Sequence, residues 1–185
     1  MEKTEKRRKR GGAALVIRAV IILILALVLV VAGYVIYLQA NYYRIEDHAA
    51  LEVENNGENT LKIGDTYTAV TYNIGFGAYG PDYSFFMDTG EMKDGTKTSG
   101  KYGKAMSLDS VEAHTEGAVG VIEDLNADFY LLQEVDVDAD RSYHVNQEDY
   151  IKTAMTDYAS IFANNFHSAY LFYPFYDPHG AVQAG

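Results

Sequence analysis

Apolar and polar positions are distributed very unevenly along this chain. From Ala19 to Leu38 it reads AVIILILALVLVVAGYVIYL, twenty residues without a formal charge. At about 1.5 Å per helical residue, such a run crosses the roughly 30 Å hydrocarbon layer of a bilayer, so it predicts a transmembrane helix. Tyr34 and Tyr37 fall near one end, where amphipathic rings favour the interface, and Arg18 at the other end can extend its charge toward water. A cleaved signal peptide has a shorter apolar region, of about 7 to 15 residues, ending in a small-x-small site. Here the only nearby candidate is Leu38-Gln39-Ala40, with a large residue in the wrong place, so an uncleaved anchor is expected.

Beyond the anchor the pattern changes to shorter periods. Residues 39–64 are polar and acidic, with a turn signal at Asn55-Asn56-Gly57, and read as a stalk. Thr66 to Asn73 (TYTAVTYN) has the β-branched and aromatic content of a strand. Ile74 to Met106 is glycine-rich without periodicity, a long loop with a hairpin expected around Asp94-Gly95. Asp109 to Leu125 places Val111, Ala118, Val121, Ile122 and Leu125 near helical spacing, with Asp109 and Glu112 as an expected capping box. Phe129 to Val135 (FYLLQEV) is a nearly continuous apolar run, the pattern of a covered strand. Asn146 is expected to cap a helix from Gln147 to Ala163, and Ser168 to Tyr173 to form a further strand. Strand, helix, strand in this order implies a right-handed βαβ unit. Residues at the carboxyl ends of its parallel strands emerge on one sheet edge, so Asn73 and Glu134 are expected to converge there.

Charge divides the chain in two. Through Arg18 there are seven basic and two acidic residues, a net of +5, while the remainder has 8 basic and 24 acidic residues, a net of −16. The basic cluster from Glu5 to Arg10 predicts that residues 1–18 stay cytoplasmic, that residues 19–38 span the cell membrane once, and that residues 65–185 form a domain on the outer face. The strongly negative outer part repels polyanions, which counts against nucleic acid as a partner. Without cysteine there are no disulfides, zinc thiolates or thiol nucleophiles.

An amide oxygen and a carboxylate on neighbouring strand ends form a hard-oxygen site of the kind that suits Mg²⁺ or Mn²⁺ with several retained waters. The same two residues also fit a turn asparagine and a solvated glutamate, and spacing does not choose between these. Asp136, Asp138 and Asp140 lack the glycine and terminal glutamate of a calcium loop and read as a solvated acidic loop. His114, His144, His167 and His179 carry no sequence warrant for chemistry, and Tyr170 to Tyr176 reads as core and rim.

Thr71-Tyr72-Asn73-Ile74 at a strand end, followed after a helix by Asp128-Phe129-Tyr130-Leu131-Leu132-Gln133-Glu134-Val135-Asp136, resembles the endonuclease/exonuclease/phosphatase superfamily. This group includes deoxyribonucleases, sphingomyelinases and inositol 5-phosphatases. The resemblance implies an α/β fold, here the N-terminal part of a four-layer sandwich of two β-sheets flanked by helices. It implies Glu134 as catalytic ligand of Mg²⁺ or Mn²⁺, with Asn73 a catalytic residue and metal neighbour beside it. It also implies Arg141, in Asp140-Arg141-Ser142, as a phosphate contact; pairing of Arg141 with Asp136, Asp138 or Asp140 is the alternative. The implied activity is hydrolysis of a phosphodiester or phosphomonoester by activated water. No GDFN-like or SDH-like sequence, which would carry the family's Asp-x-Asn motif and its Asp-preceded base histidine, follows Glu134, so the polypeptide as given is expected to be a C-terminally incomplete, inactive portion. A non-catalytic surface protein with a degenerate domain and an extracellular nuclease are the alternatives, the second disfavoured by charge.

Overall fold

The computed structural model describes residues 2–58 and 60–185, with side chains from Ala14 onward. The basic cluster at residues 5–10 therefore lies outside the described side chains. The chain forms two compact units, one ending at Tyr42 and one spanning Tyr43–Gly185.

The first unit is a single helix, α1 (Glu2–Ala40). Its segment Ala14–Ala40 is 27 residues long and contains an 18-residue stretch of mean hydropathy 3.3 with none of its side chains buried by protein, so it is long and apolar enough to cross a membrane. An uninterrupted run of apolar residues in helical form satisfies its backbone hydrogen bonds internally.

The second unit is a mixed α/β structure. Strands β1 (Ala69–Asn73) and β4 (Phe129–Gln133) pair in parallel, from Ala69 opposite Phe129 to Asn73 opposite Gln133. Between them run the hairpin β2 (Thr89–Glu91) and β3 (Lys97–Ser99), then helix α2 (Leu108–Leu125). The strand starts are fixed by a reciprocal clamp: Asp128 Oδ2 accepts from the Thr68 amide at 2.7 Å and hydroxyl at 2.8 Å, and the Asp128 amide donates to Thr68 Oγ1 at 3.0 Å. These bonds hold the Asp128 carboxyl below its usual range and set the β1/β4 register. After β4 come β5 (Asp136–Ala139), α3 (Gln147–Ala154), β6 (Phe166–Leu171) and β7 (Gly180–Ala184). The last strand is the centre of an antiparallel sheet in the order β5-β7-β6.

Several local expectations are corrected. Helix α2 is capped two residues earlier than Asp109 suggests. Ser107 Oγ accepts from the Ser110 amide at 3.1 Å, and Ser110 Oγ accepts from the Ser107 amide at 3.0 Å. The buried face of α2 is Val111, Thr115, Ala118, Val119 and Ile122, while Val121 and Leu125 are about half exposed. A helix advances about 100° per residue, so choosing Val119 turns Val121 outward. Helix α3 has its Asn146 cap but ends at Ala154 rather than Ala163. Beyond it the backbone is taken by the lead-in segment: Glu54 and Ser160 exchange two amide bonds at 2.9 and 3.0 Å, and Asn55 Nδ2 donates to the Thr156 and Tyr158 carbonyls. Much of the segment read as a stalk is thus stitched to the second unit, where Tyr43 also stacks on His167 with ring centres 4.4 Å apart.

The acidic series is not a solvated loop at its first member. Asp136 is fully buried and opens β5. The Arg141 Nη2 donates to Asp136 Oδ1 at 2.6 Å, its Nε to Oδ2 at 2.9 Å, and Ser142 Oγ adds a bond to Oδ2 at 2.8 Å. The Arg141 guanidinium also lies 4.0 Å from the centre of the Phe76 ring. A cation on an aromatic face with a two-point carboxylate partner is one of the few arrangements that tolerates such burial.

Candidate functional site

The site forms where β1 and β4 end together. Parallel pairing carries Asn73 to the position opposite Gln133, and the next residue, Glu134, turns its side chain back toward Asn73. Asn73 Nδ2 donates to Glu134 Oε1 at 2.9 Å, and Asn73 Oδ1 accepts from the Gly75 amide at 2.8 Å. The asparagine therefore has both ends committed: one makes the turn, the other holds the carboxylate.

The backbone around this pair is unusual for its residue types. Glu134 has φ 56°, and Gly75, Phe76 and Gly77 follow one another at φ 57°, 43° and 68°. Left-handed backbone costs a residue with a side chain on the order of 1–2 kcal/mol, and it persists only where surrounding structure fixes it. What fixes it here is a ladder continuing past the strands, with the Ile74 amide donating to Gln133 O and the Phe76 amide to Glu134 O, both at 3.0 Å. Gly77 is required sterically as well. A Cβ there would sit 2.8 Å from Gln147 Nε2 and 3.0 Å from Thr115 Oγ1, which themselves bond to each other.

Tyr72, Asn73, Ile74, Gly75, Tyr79 and Glu134 line one open pocket. The Tyr79 ring covers the position that a Gly75 side chain would occupy and meets Phe76 and Tyr83 edge-on. Partial burial, with the Asp88 and Glu134 carboxylates nearby, pushes the Tyr79 hydroxyl up to about 12. It is therefore a neutral hydrogen-bond donor across the physiological range. Tyr79 was not singled out from sequence. The available signal was Gly75-Phe76-Gly77 directly after a strand, a spacing that announces a backbone turned sharply at the strand mouth.

Arg141 is not at this pocket's lining. Arg141 is 6 % exposed and engaged by Asp136, one of the three acidic partners expected for it, in a buried rather than a surface pair. Of the histidines, His114 bonds through Nδ1 to the Gly77 carbonyl at 2.9 Å and supports the turn from behind. His179 is buried with Nδ1 2.8 Å from the Gly103 carbonyl, and burial holds its pKa below the usual value. His144 is exposed between Asp138 and Asp140.

The donor chemistry of the pocket suits a hard cation held mainly through water. Glu134 supplies one carboxylate, Asn73 orients it through Nδ2, and Asn73 Oδ1, which accepts one bond from the Gly75 amide, keeps a second lone pair for an ion or its water. Among the described residues no group of three or more His, Asp or Glu side chains is arranged as a cage for a metal ion. No protein-family model, no curated protein and no solved structure matches this chain.

Proposed function

We propose that the chain is a membrane-anchored, divalent-metal-dependent phosphoesterase of the endonuclease/exonuclease/phosphatase kind. In this reading α1 is the anchor with its N-terminus in the cytoplasm, the second unit faces outward, and β1 and β4 belong to one sheet of a four-layer sandwich. The observation that carries the reading is the contact between Asn73 and Glu134 at the carboxyl ends of two parallel strands, on a backbone held left-handed at Glu134. Open α/β sheets bind ligands at such edges, and strained backbone concentrates where function requires it.

Glu134 would hold Mg²⁺ or Mn²⁺, and Asn73 would keep that carboxylate in one rotamer by donating to Oε1. A bound divalent ion would lower the pKa of a coordinated water and offset charge on the phosphate. The Tyr79 hydroxyl, which donates to Asp88 Oδ2 at 3.4 Å, would turn that hydrogen bond to a phosphate oxygen in the same pocket. No histidine lines this pocket among the described residues, so the proton of an ion-acidified water would pass to bulk water rather than to a positioned base, and turnover would be slow. That same lining favours a second reading, a surface protein that binds a phosphate ester without hydrolysing it. A net charge of −16 after Arg18 disfavours nucleic acid as the ester in either case.

Manganese binding to the detergent-solubilised chain, measured calorimetrically, separates these ideas from a purely structural site. We expect one ion per chain and a loss of affinity of about tenfold or more on Glu134→Gln, since even an outer-sphere partner of a metal ligand is worth that much. Absence of binding in the wild-type chain would overturn the metal assignment. Parallel assays on a generic phosphodiester with and without Mg²⁺ decide between slow hydrolysis and binding alone.

A further inference from the structure

Between β6 and β7 the chain carries Tyr173, Phe175 and Tyr176 at 61 %, 83 % and 73 % exposure. Three large rings within four positions leave far more apolar surface in water than scattered surface residues do. The segment is nevertheless well held. The Asp177 carboxylate accepts from the Gly103 and Lys104 amides at 2.7 and 3.2 Å, the Asp177 amide donates to the Pro174 carbonyl, and the His179 amide donates to the Tyr173 carbonyl. These bonds display the rings on a fixed strap.

Lys101, Lys104 and Met106 share an open groove with Tyr176. Neither lysine forms an ion pair with a described residue. In a unit with 8 basic and 24 acidic residues, two uncommitted ammonium groups beside exposed rings make a local exception to the field.

We propose that this strap is a membrane-docking surface, with Tyr173, Phe175 and Tyr176 in the headgroup layer of a bilayer and Lys101 and Lys104 against lipid phosphates. Tyrosine settles at that interface because its ring is apolar and its hydroxyl stays wet, and phenylalanine adds apolar burial at the headgroup/acyl boundary. Lysines near an anionic surface are attracted to it over about a Debye length. The proposal rests on the reading of α1 as an anchor, because covalent continuity with an embedded helix keeps the unit at high effective concentration beside the lipid, where a small surface suffices. Nucleic acid is the other partner with matching chemistry; the net −16 of the unit repels any polyanion, and nucleic acid has no tether such as α1 to offset that repulsion.

The protein contains no tryptophan, so Phe175→Trp places a single reporter on the strap, and Val121→Trp places one on the exposed face of α2. Both full-length variants are reconstituted into phosphatidylcholine vesicles, with and without phosphatidylglycerol, containing lipids brominated near the headgroup. We expect quenching of the residue-175 emission, none above background at residue 121, and weaker quenching at 175 when Lys101→Glu and Lys104→Glu are added. Absent quenching at 175, or equal quenching at both positions, overturns the docking surface. Resistance to alkaline carbonate extraction is read on the same vesicles. A chain that resists extraction but shows no quenching loses the docking proposal alone, whereas an extracted chain loses the anchor and the proposal together. A shift of the residue-175 emission by a single-stranded oligonucleotide, without lipid quenching, assigns the strap to nucleic acid and overturns the proposal.

Discussion

Asn73 and Glu134, sixty-one positions apart, meet through a 2.9 Å bond from Nδ2 to Oε1. The bond exists because β1 and β4 run parallel and end together, and because the turn after Asn73 takes its other oxygen. Replacing Asn73 with alanine removes both contacts at an exposed position, so we expect a stability loss of about 1 kcal/mol. The larger effect should fall on the carboxylate, which loses its orienting donor. Manganese affinity should drop in Asn73→Ala, but by less than in Glu134→Gln, and calorimetry on both variants checks the order.

The Arg141–Asp136 pair predicts a steep asymmetry. Truncating Arg141 to alanine leaves a fully buried carboxylate without its cation and should cost about 3–5 kcal/mol. Arg141→Lys should recover little, because an ammonium cannot reproduce the two-point contact to Asp136 or lie flat on Phe76. Denaturant unfolding of the three chains measures this directly, and a fully rescued lysine variant would contradict the geometry.

Tyr83 offers a test in the opposite direction. Its hydroxyl is buried without a hydrogen-bond partner among the described residues, and burial pushes its pKa up. Tyr83→Phe keeps the ring contacts with Phe76, Tyr79 and Tyr102 and removes the unsatisfied group. An unpaired buried polar group costs about 1–3 kcal/mol, so we expect this variant to be as stable as wild type or more so. A clear loss of melting temperature would show that the hydroxyl has a role the packing does not reveal.

Two histidines should give stability slopes of opposite sign. His144 is raised chiefly by its 2.6 Å bond to Asp138, with Asp140 adding to it. A raised folded pKa means that its contribution is fully present below the ordinary histidine value of about 6.5 and is lost as pH rises through the folded value. His179 is lowered chiefly by burial, so its contribution is present above about 6.5 and is lost as pH falls through its folded value. Melting curves should accordingly show His144→Gln losing part of the alkaline decline and His179→Gln losing part of the acidic one. The His144 effect should be the smaller, since that ring is exposed.

Some of this molecule was settled by local pattern. The twenty uncharged residues within α1 are helical because a helix satisfies its own backbone, and no distant contact is needed to decide it. The order β1, α2, β4 and the hairpin at Asp94-Gly95 were legible for a related reason, since period and turn chemistry are properties of neighbouring residues. The convergence of Asn73 and Glu134 followed from that order together with the handedness of βαβ connections.

Other features depended on choices among partners that look alike in sequence. Asp136, Asp138 and Asp140 are equivalent by spacing, and only the fold, which buries Asp136 beside the Arg141 guanidinium that lies on Phe76, makes it the partner of Arg141. Val119 and Val121 are equally apolar, and the helix face that packs decides between them. Helix α3 had the composition to continue to Ala163, but Asn55 and Glu54 took the backbone groups beyond it. Glu134's left-handed backbone and Tyr79's place beside it arise from bonds across the ends of two strands, which no window of sequence contains. Local propensity is a weak prior on the order of tenths of a kcal/mol per residue, and it yields wherever long-range burial or hydrogen bonding offers more.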